Sequence, residues 1–255
     1  MSKQAQSTHT ISAYLKAASF EELPELLCRY AADPRQQVHH AVEVAQRRYE
    51  RQRLDRKRVR AMYELQERLG GQGVIVGVDE VGRGALAGPL TVAAVVLPRK
   101  PVVWGLNDSK RLSAQQREKL ALCIKEVASA VGIAHVQAAD IDRYGMSASL
   151  RKAMASAVAN TGVDPGCVLI DGNPVHAHPK EKTLIKGDAK VADIAAASIV
   201  AKVTRDHIMM TYDEAYPDYH FAACKGYGSA AHIAAIKRHG LCPIHRASFC
   251  THFIN

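Results

Sequence analysis

Two acids stand side by side at the end of an apolar run in Gly77-Val78-Asp79-Glu80-Val81-Gly82-Arg83-Gly84. Carboxylates at such a place need an offsetting charge. A hard divalent cation such as Mg²⁺, which takes oxygen ligands, is the usual one. Side chains alternate along a strand, so Asp79 and Glu80 converge only if Glu80 sits where the strand gives way to a Gly-rich turn. The competing structural role is one acid in a salt bridge and the other in solvent. Gly82-Arg83-Gly84 strengthens the ligand-binding reading, because glycines let the backbone come close to a ligand and arginine meets phosphate. The pattern is not the G-x-G-x-x-G of dinucleotide sites, and the sequence contains no P-loop.

Two further motifs carry acids. Leu169-Ile170-Asp171-Gly172-Asn173-Pro174 places Asp171 at the C-terminal end of a buried strand, just before a turn, where site residues commonly lie. Lys186-Gly187-Asp188-Ala189-Lys190 places Asp188 ahead of a helix, where capping is a strong alternative role. Asp193 lies one turn further on, where it would complement the helix dipole; whether it touches a metal stays open. Four carboxylates from three segments suit a pair of divalent ions for phosphoryl transfer. No serine, cysteine or histidine arrangement offers an equally coherent nucleophile. Cys224, His232, His239, Cys242, His245, Cys250 and His252 crowd the C-terminal part, but their spacings match no common zinc pattern.

The elements that must position these acids follow from the apolar periodicity. Strands are expected at Val74–Asp79, Pro89–Leu97, Val131–Gln137 and Val168–Ile170, and helices at Ser113–Ala130, Ile141–Asn160, Val191–Tyr212 and Ala230–His239. Adjacent strands that later alternate with helices predict a mixed sheet covered by helices, an α/β fold. Residues 1–70 contain no strand-like run and read as a helical N-terminal extension, with residues 71–255 as the main domain. In the extension Val38, Ala41, Ala45 and Tyr49, then Met62, Leu65 and Leu69, follow a helical stripe. Between them Arg47 to Arg60 holds eight basic residues and two acidic ones. That run is either a solvated helix face or an arm along a phosphate backbone, with the stripe as a brace on the main domain if it is the former.

The chain of 255 residues has a formal charge of +9, which favours an anionic partner, most commonly nucleic acid. It is 47% hydrophobic, enough for a core, and no run is long enough to span a membrane. Six scattered cysteines without a C-x-x-C pair suit reduced thiols, and no signal peptide is legible at the N-terminus, so a cytoplasmic protein is expected.

Taken together in order, GVDEVGRGALAGPLTVAAVVL (77–97), DSKRLS (108–113), IDGNP (170–174), KGDAKVADIAAASIVAKVTRD (186–206), KGYGS (225–229) and PIHRASF (243–249) resemble bacterial ribonuclease HII, the type 2 ribonuclease H. The resemblance implies an RNase H-like fold with a C-terminal helical part. It implies that Asp79, Glu80, Asp171 and Asp188 are the catalytic, metal-holding acids. It implies that Gly82, Arg83 and Gly84 read a ribose 2′-hydroxyl through backbone groups, that Tyr227 stacks on the sugar at the RNA–DNA junction, and that Lys110 contacts phosphate. The implied activity is endonucleolytic cleavage of RNA in RNA–DNA hybrids and incision 5′ of single ribonucleotides embedded in DNA. Products would carry 5′-phosphate and 3′-hydroxyl ends, two Mg²⁺ or Mn²⁺ ions would serve as cofactor, and the protein would act as a monomer. Misincorporated ribonucleotides and RNA primers would be its targets.

Ser229 stands where the family carries threonine, and keeps the hydroxyl. The related ribonuclease HIII fits less well, because it normally lacks an arginine between the two glycines and carries a sheet in its N-terminal domain. A binding module without catalysis fits poorly too, since clustered acids repel phosphates unless metal offsets them. A metal-dependent DNA exonuclease would have no use for a motif that reads the 2′-hydroxyl.

Overall fold

The computed structural model describes residues 6–254 and divides into two units, with the division between Arg60 and Ala61. The first unit is helical: α1 (Thr8–Ala17), α2 (Leu23–Tyr30) and the first part of α3 (Gln36–Gly70). The Ser7 hydroxyl caps α1 by accepting from the Thr10 N–H at 3.1 Å. Ile11, Leu15, Leu23, Tyr30, Val38 and Ala45 form its core. Tyr49 stacks on Phe20 with ring centroids 5.0 Å apart, so it packs within this unit. The basic run is used internally as well. Arg48 donates to the carbonyls of Leu15 and Ala18, each at 2.9 Å, and Arg56 pairs with Glu21 at 2.6 Å. The single stripe read from the sequence therefore divides. Its later members belong to the second unit, where Met62 is buried and Leu65 and Leu69 pack on Cys167, Leu169, Val191 and Ile194.

The second unit holds the five-stranded mixed sheet expected for an RNase H-like fold. Its strands are β1 (Val74–Val81), β2 (Leu90–Val96), β3 (Ala130–Val136), β4 (Pro165–Asp171) and β5 (Glu181–Leu184), in spatial order β3-β2-β1-β4-β5. β1, β2 and β3 form an antiparallel meander, and β4 and β5 add in parallel on the other side of β1. Helices α4 (Ala114–Val127), α5 (Ala138–Tyr144), α6 (Met146–Ala159) and α7 (Ala192–Ala215) flank it. Val76, Val78, Val92, Val168 and Ile170 face a core shared with Leu150, Met154 and Ala157 of α6. The long, Ala-rich α7 covers the opposite face of β1 and β2. α8 (Phe221–Cys224), α9 (Ala230–His239) and α10 (Ala247–Cys250) build the C-terminal helical part around Phe221, Tyr219 and Ile236.

Two sequence expectations need correction, and one strand was not foreseen. The helix predicted over 141–160 is two helices, because Gly145 takes φ 78°, a left-handed conformation that ends α5 and starts α6. β5 is a four-residue strand of mixed polarity, too short for period-two alternation to reveal it. Glu80 is still in the ladder, paired with Val92, so it does not lie in the turn.

The crowded histidines form a directional chain. The Cys242 N–H donates to His245 Nδ1 at 3.0 Å, the Nε2 atoms of His245 and His232 are 3.0 Å apart, and His232 Nδ1 lies 2.9 Å from the Tyr227 carbonyl. Partners on both sides assign one proton between the two Nε2 atoms, with both rings neutral. Burial pushes His245 down to about 4, with the neighbouring His232 adding to the effect, and burial also lowers His232. A histidine lowered in the fold contributes stability that is present above the unfolded value near 6.5 and is lost as pH falls toward 4. The melting temperature should therefore fall as pH drops from 6.5 to 4.5, by about 2–4 °C per kcal/mol lost. His245→Gln should flatten that fall; an unchanged acid sensitivity in the variant would contradict the neutral pair.

Candidate active site

Parallel pairing of β1 with β4 aligns Val78 with Ile170, which brings the next residues, Asp79 and Asp171, to the same end of the sheet. Val78 and Ile170 face the α6 core, so alternation turns both acids toward the α7 side. Asp188 reaches that place from a single 3₁₀ turn, Gly187–Ala189, just before α7. It does not cap α7, whose N-cap is Val191 three residues later. Carboxylate oxygens of Asp79, Asp171 and Asp188 all lie within 4.8 Å of one another. Glu80 falls outside that trio. It stays beside the trio electrostatically, with Asp171 raising its pKa, and its carboxylate is 3.8 Å from the Arg83 guanidinium.

Ionising Asp79 and Asp188 carries a cost. Burial holds Asp79 well above the usual carboxylate range, with Glu80 and then Asp171 adding repulsion. Burial likewise raises Glu80 and Asp188, and in Asp188 the charges of Asp171 and Asp108 add to it. Opposing contributions are a hydrogen bond from the Ser198 hydroxyl to Asp79 and the positive charge of Lys110 acting on Glu80 and Asp188. The Glu80 N–H donates to Asp79 Oδ1 at 2.8 Å, and the Gly187 N–H to Asp171 Oδ1 at 2.6 Å, which fixes both side chains. All the donors are hard oxygens, gathered against their own repulsion. That set fits Mg²⁺ or Mn²⁺ and no soft metal.

Around this trio stand the other residues singled out in the sequence. The Gly82 N–H donates to the Tyr227 hydroxyl at 3.2 Å, joining segments 145 residues apart. Tyr227 is 37% exposed, so much of the ring is available to a ligand. Arg83 and Gly84 are exposed. Lys110 is exposed on the 3₁₀ turn Ser109–Arg111, which Asp108 caps by accepting the Lys110 N–H at 2.9 Å. Asp193 is elsewhere: fully buried, it accepts the Leu97 N–H at 3.0 Å, and it is not among the gathered acids.

Sequence reading missed Ser198, Ser109 and Arg205. Ser198 bridges Asp79 to the Ser109 hydroxyl at 3.0 Å, tying the Lys110 turn to the acids. Arg205 lies two turns on from Ser198, buried under Gly82 and Tyr227. The available signal was their spacing, seven residues apart in one helix, which places them on one face.

The profile of ribonuclease HII matches residues 76–252, and that of the ribonuclease HII N-terminal domain matches residues 7–70. Ribonuclease HII of Acetivibrio thermocellus is 46% identical over 208 residues, covering 81% of each chain. That of Geobacillus kaustophilus is 41% identical over 247 residues, covering 92% of this chain and 95% of its own. Among solved structures, ribonuclease H2 from Pyrococcus horikoshii superposes with a TM-score of 0.61 at 25% identity, over 71% of this chain and 97% of that one.

Proposed function

The chain belongs to the ribonuclease HII family and is a ribonuclease H, and from that premise we propose that it incises DNA duplexes 5′ of a single embedded ribonucleotide as well as cutting the RNA strand of hybrids. The observation that carries this reading is the direct bond between Gly82 and Tyr227 beside the gathered acids. It places a backbone that can approach a ribose next to an aromatic ring that can stack on the following sugar. Glu80 joins Asp79, Asp171 and Asp188 in holding two divalent ions. Bound there, the ions supply Lewis-acid stabilisation of the phosphate and a more acidic water. The chain's residues do the rest. Gly82, Arg83 and Gly84 read the 2′-hydroxyl, Lys110 and Arg83 hold phosphates, and Tyr227 marks the RNA–DNA junction. The protein works as a monomer in the cytoplasm, and its six unpaired cysteines suit that reducing compartment.

A duplex carrying one ribonucleotide, incubated with Mg²⁺ or Mn²⁺, tests this. The expected product on the 5′ side ends in a 3′-hydroxyl immediately before the ribonucleotide, and EDTA abolishes it. Cleavage of long hybrids with no incision at the single ribonucleotide would overturn the reading in favour of ribonuclease HIII-like specificity.

Tyr227→Ala should reduce single-ribonucleotide incision by about tenfold or more, one stacking contact's worth. Long hybrids, which offer 2′-hydroxyls on both sides of every cut, should lose less. Equal loss on both substrates would assign the ring a packing role.

The helical unit serves as an electrostatic arm. Arg47 pairs with Glu43, Arg53 with Glu50 and Arg58 with Asp55, yet residues 47–60 keep a net charge of +6 by sequence, eight basic minus two acidic. Exposed pairs of this kind are weak and leave the net field intact. A truncation should begin at Ala61, since a cut at residue 70 would remove buried Met62, Tyr63 and Gln66 from the second unit. Removing residues 1–60 should flatten the log–log salt dependence of binding by roughly 0.9 per lost phosphate contact, raise KM and spare kcat. Coincident salt slopes with a lower melting temperature would make the unit a brace.

A further inference from the structure

We propose that Arg205 and Arg246 are positioning residues for ribose recognition: their buried guanidinium groups hold the carbonyls of the Gly82–Pro89 loop inward and so turn the Gly84 N–H outward toward the substrate. The inference rests on the reading of Gly82-Arg83-Gly84 given above and extends it to two residues that touch no substrate.

Both arginines are completely buried, and neither has a carboxylate within 4.0 Å among the described residues. A buried charge without a counter-ion is expensive unless hydrogen bonds satisfy it. Here every bond goes to a main-chain carbonyl. Arg205 donates to Pro89 at 2.9 Å, Ala87 at 3.0 Å and Lys225 at 2.8 Å. Arg246 donates twice to Gly88, at 3.2 and 2.9 Å, and once to Arg83 at 3.0 Å. Three successive carbonyls, Ala87 to Pro89, are thus turned into the protein, and the Lys225 carbonyl is held two residues from Tyr227. A planar fork holds its donors at separate fixed positions that match these carbonyls, whereas a lysine ammonium has its three donors on one atom.

The Arg83 bond has a consequence for Gly84. In a trans peptide the C=O and the following N–H point in opposite directions. With the Arg83 carbonyl drawn inward to Arg246, the Gly84 N–H faces out of the fold. Gly84 is exposed, and a Cβ added there would meet nothing within 4 Å. Packing therefore does not require a glycine at 84, whereas close approach of a ligand does. Gly82 is the reverse case: its φ is 89° and a Cβ would lie 2.3 Å from Arg205 Nε. The first glycine of the motif makes room for the arginine beneath, and the second leaves room for the substrate above. The two positive charges under this loop also favour an anionic ligand over it.

The test compares Arg246→Lys and Arg205→Lys with the wild type, with Ca²⁺ replacing Mg²⁺ so that binding is read without cleavage. The readout is the ratio of affinities for a duplex with one ribonucleotide and the same duplex in all-DNA form. The wild type should prefer the ribonucleotide, and each variant should lose about tenfold of that preference, one misaligned hydrogen bond's worth, with all-DNA affinity nearly unchanged. A lower melting temperature with the preference intact would make the arginines simple braces and overturn the proposal. Amide exchange in the unmutated protein needs no variant to fold. The Gly84 N–H should exchange fast in the free protein and slow when the ribonucleotide duplex binds, but not when the all-DNA duplex does. No slowing of Gly84 beside a clear ribonucleotide preference would overturn the arginine proposal alone. No preference in the wild type would overturn the ribose-reading function itself.

Discussion

Asp79→Asn is expected to reduce cleavage of an RNA–DNA hybrid by roughly a thousandfold, about 4 kcal/mol of transition-state stabilisation, while hybrid affinity changes little. Asp79 is the most deeply buried member of the trio, and two hydrogen-bond partners fix its geometry: Ser198 and the Glu80 N–H. Asparagine keeps the shape and can still accept the Glu80 N–H, so the fold should survive. It loses the charge that holds a cation. Asp171→Asn should behave alike. Asp188→Asn should also cut the rate and recover in part with Mn²⁺. Single-turnover rates and equilibrium binding of the same hybrid separate chemistry from affinity. Near-normal cleavage by the Asp79 or Asp171 variant would remove the acids from the reaction.

The same substitution should raise stability in the absence of metal. A carboxyl raised in the fold is most stabilising when protonated. Its contribution is therefore present at low pH and lost as pH rises from the unfolded value, near 3.8, through the higher folded one. At neutral pH and in EDTA the clustered acids oppose folding. Asp79→Asn removes one buried charge and should melt a few degrees higher, about 2–4 °C per kcal/mol. A divalent ion should do for the wild type what the substitution does. At roughly a hundred times its dissociation constant it contributes about 2.7 kcal/mol, or about 5–10 °C. That increase should largely vanish in the variant. Equal shifts in both proteins would place the ion elsewhere. The histidine chain acts in the opposite sense, losing stability as pH falls below about 6.5, so the two contributions oppose each other in the metal-free protein.

How much of this was legible in the sequence depends on how local the determining interactions are. β1, β2 and β4 announce themselves as apolar runs, because strands buried on both faces have no polar side to show. Asp79 near the end of β1 and Asp171 at the end of β4 were legible for the same reason, since a charge closing an apolar run needs an explanation. For Asp188 the sequence left capping as a rival role, because that depends on where the helix begins, and Val191 takes that place. Glu80 could be placed only through the register with Val92, a tertiary fact. Asp193 read as a first-turn acid; its full burial comes from Leu97, nearly a hundred residues away. Arg205 and Arg246 were the least legible. An arginine in or beside a helix reads as surface until the carbonyls that surround it are known, and most of those belong to a loop more than a hundred residues earlier.

The central claim is that the gathered acids deliver divalent metal to the phosphate on the 5′ side of a ribonucleotide. It is tested most directly by replacing one non-bridging oxygen of that phosphate with sulfur and measuring single-turnover incision in Mg²⁺ and in Mn²⁺. Mg²⁺ binds sulfur poorly and the softer Mn²⁺ tolerates it. Incision should slow by about tenfold or more in Mg²⁺ for one of the two sulfur isomers and recover in Mn²⁺, while the unmodified duplex shows no such difference. The same slowing in both metals, for both isomers, would mean that no metal touches the reacting phosphate, and would contradict the account.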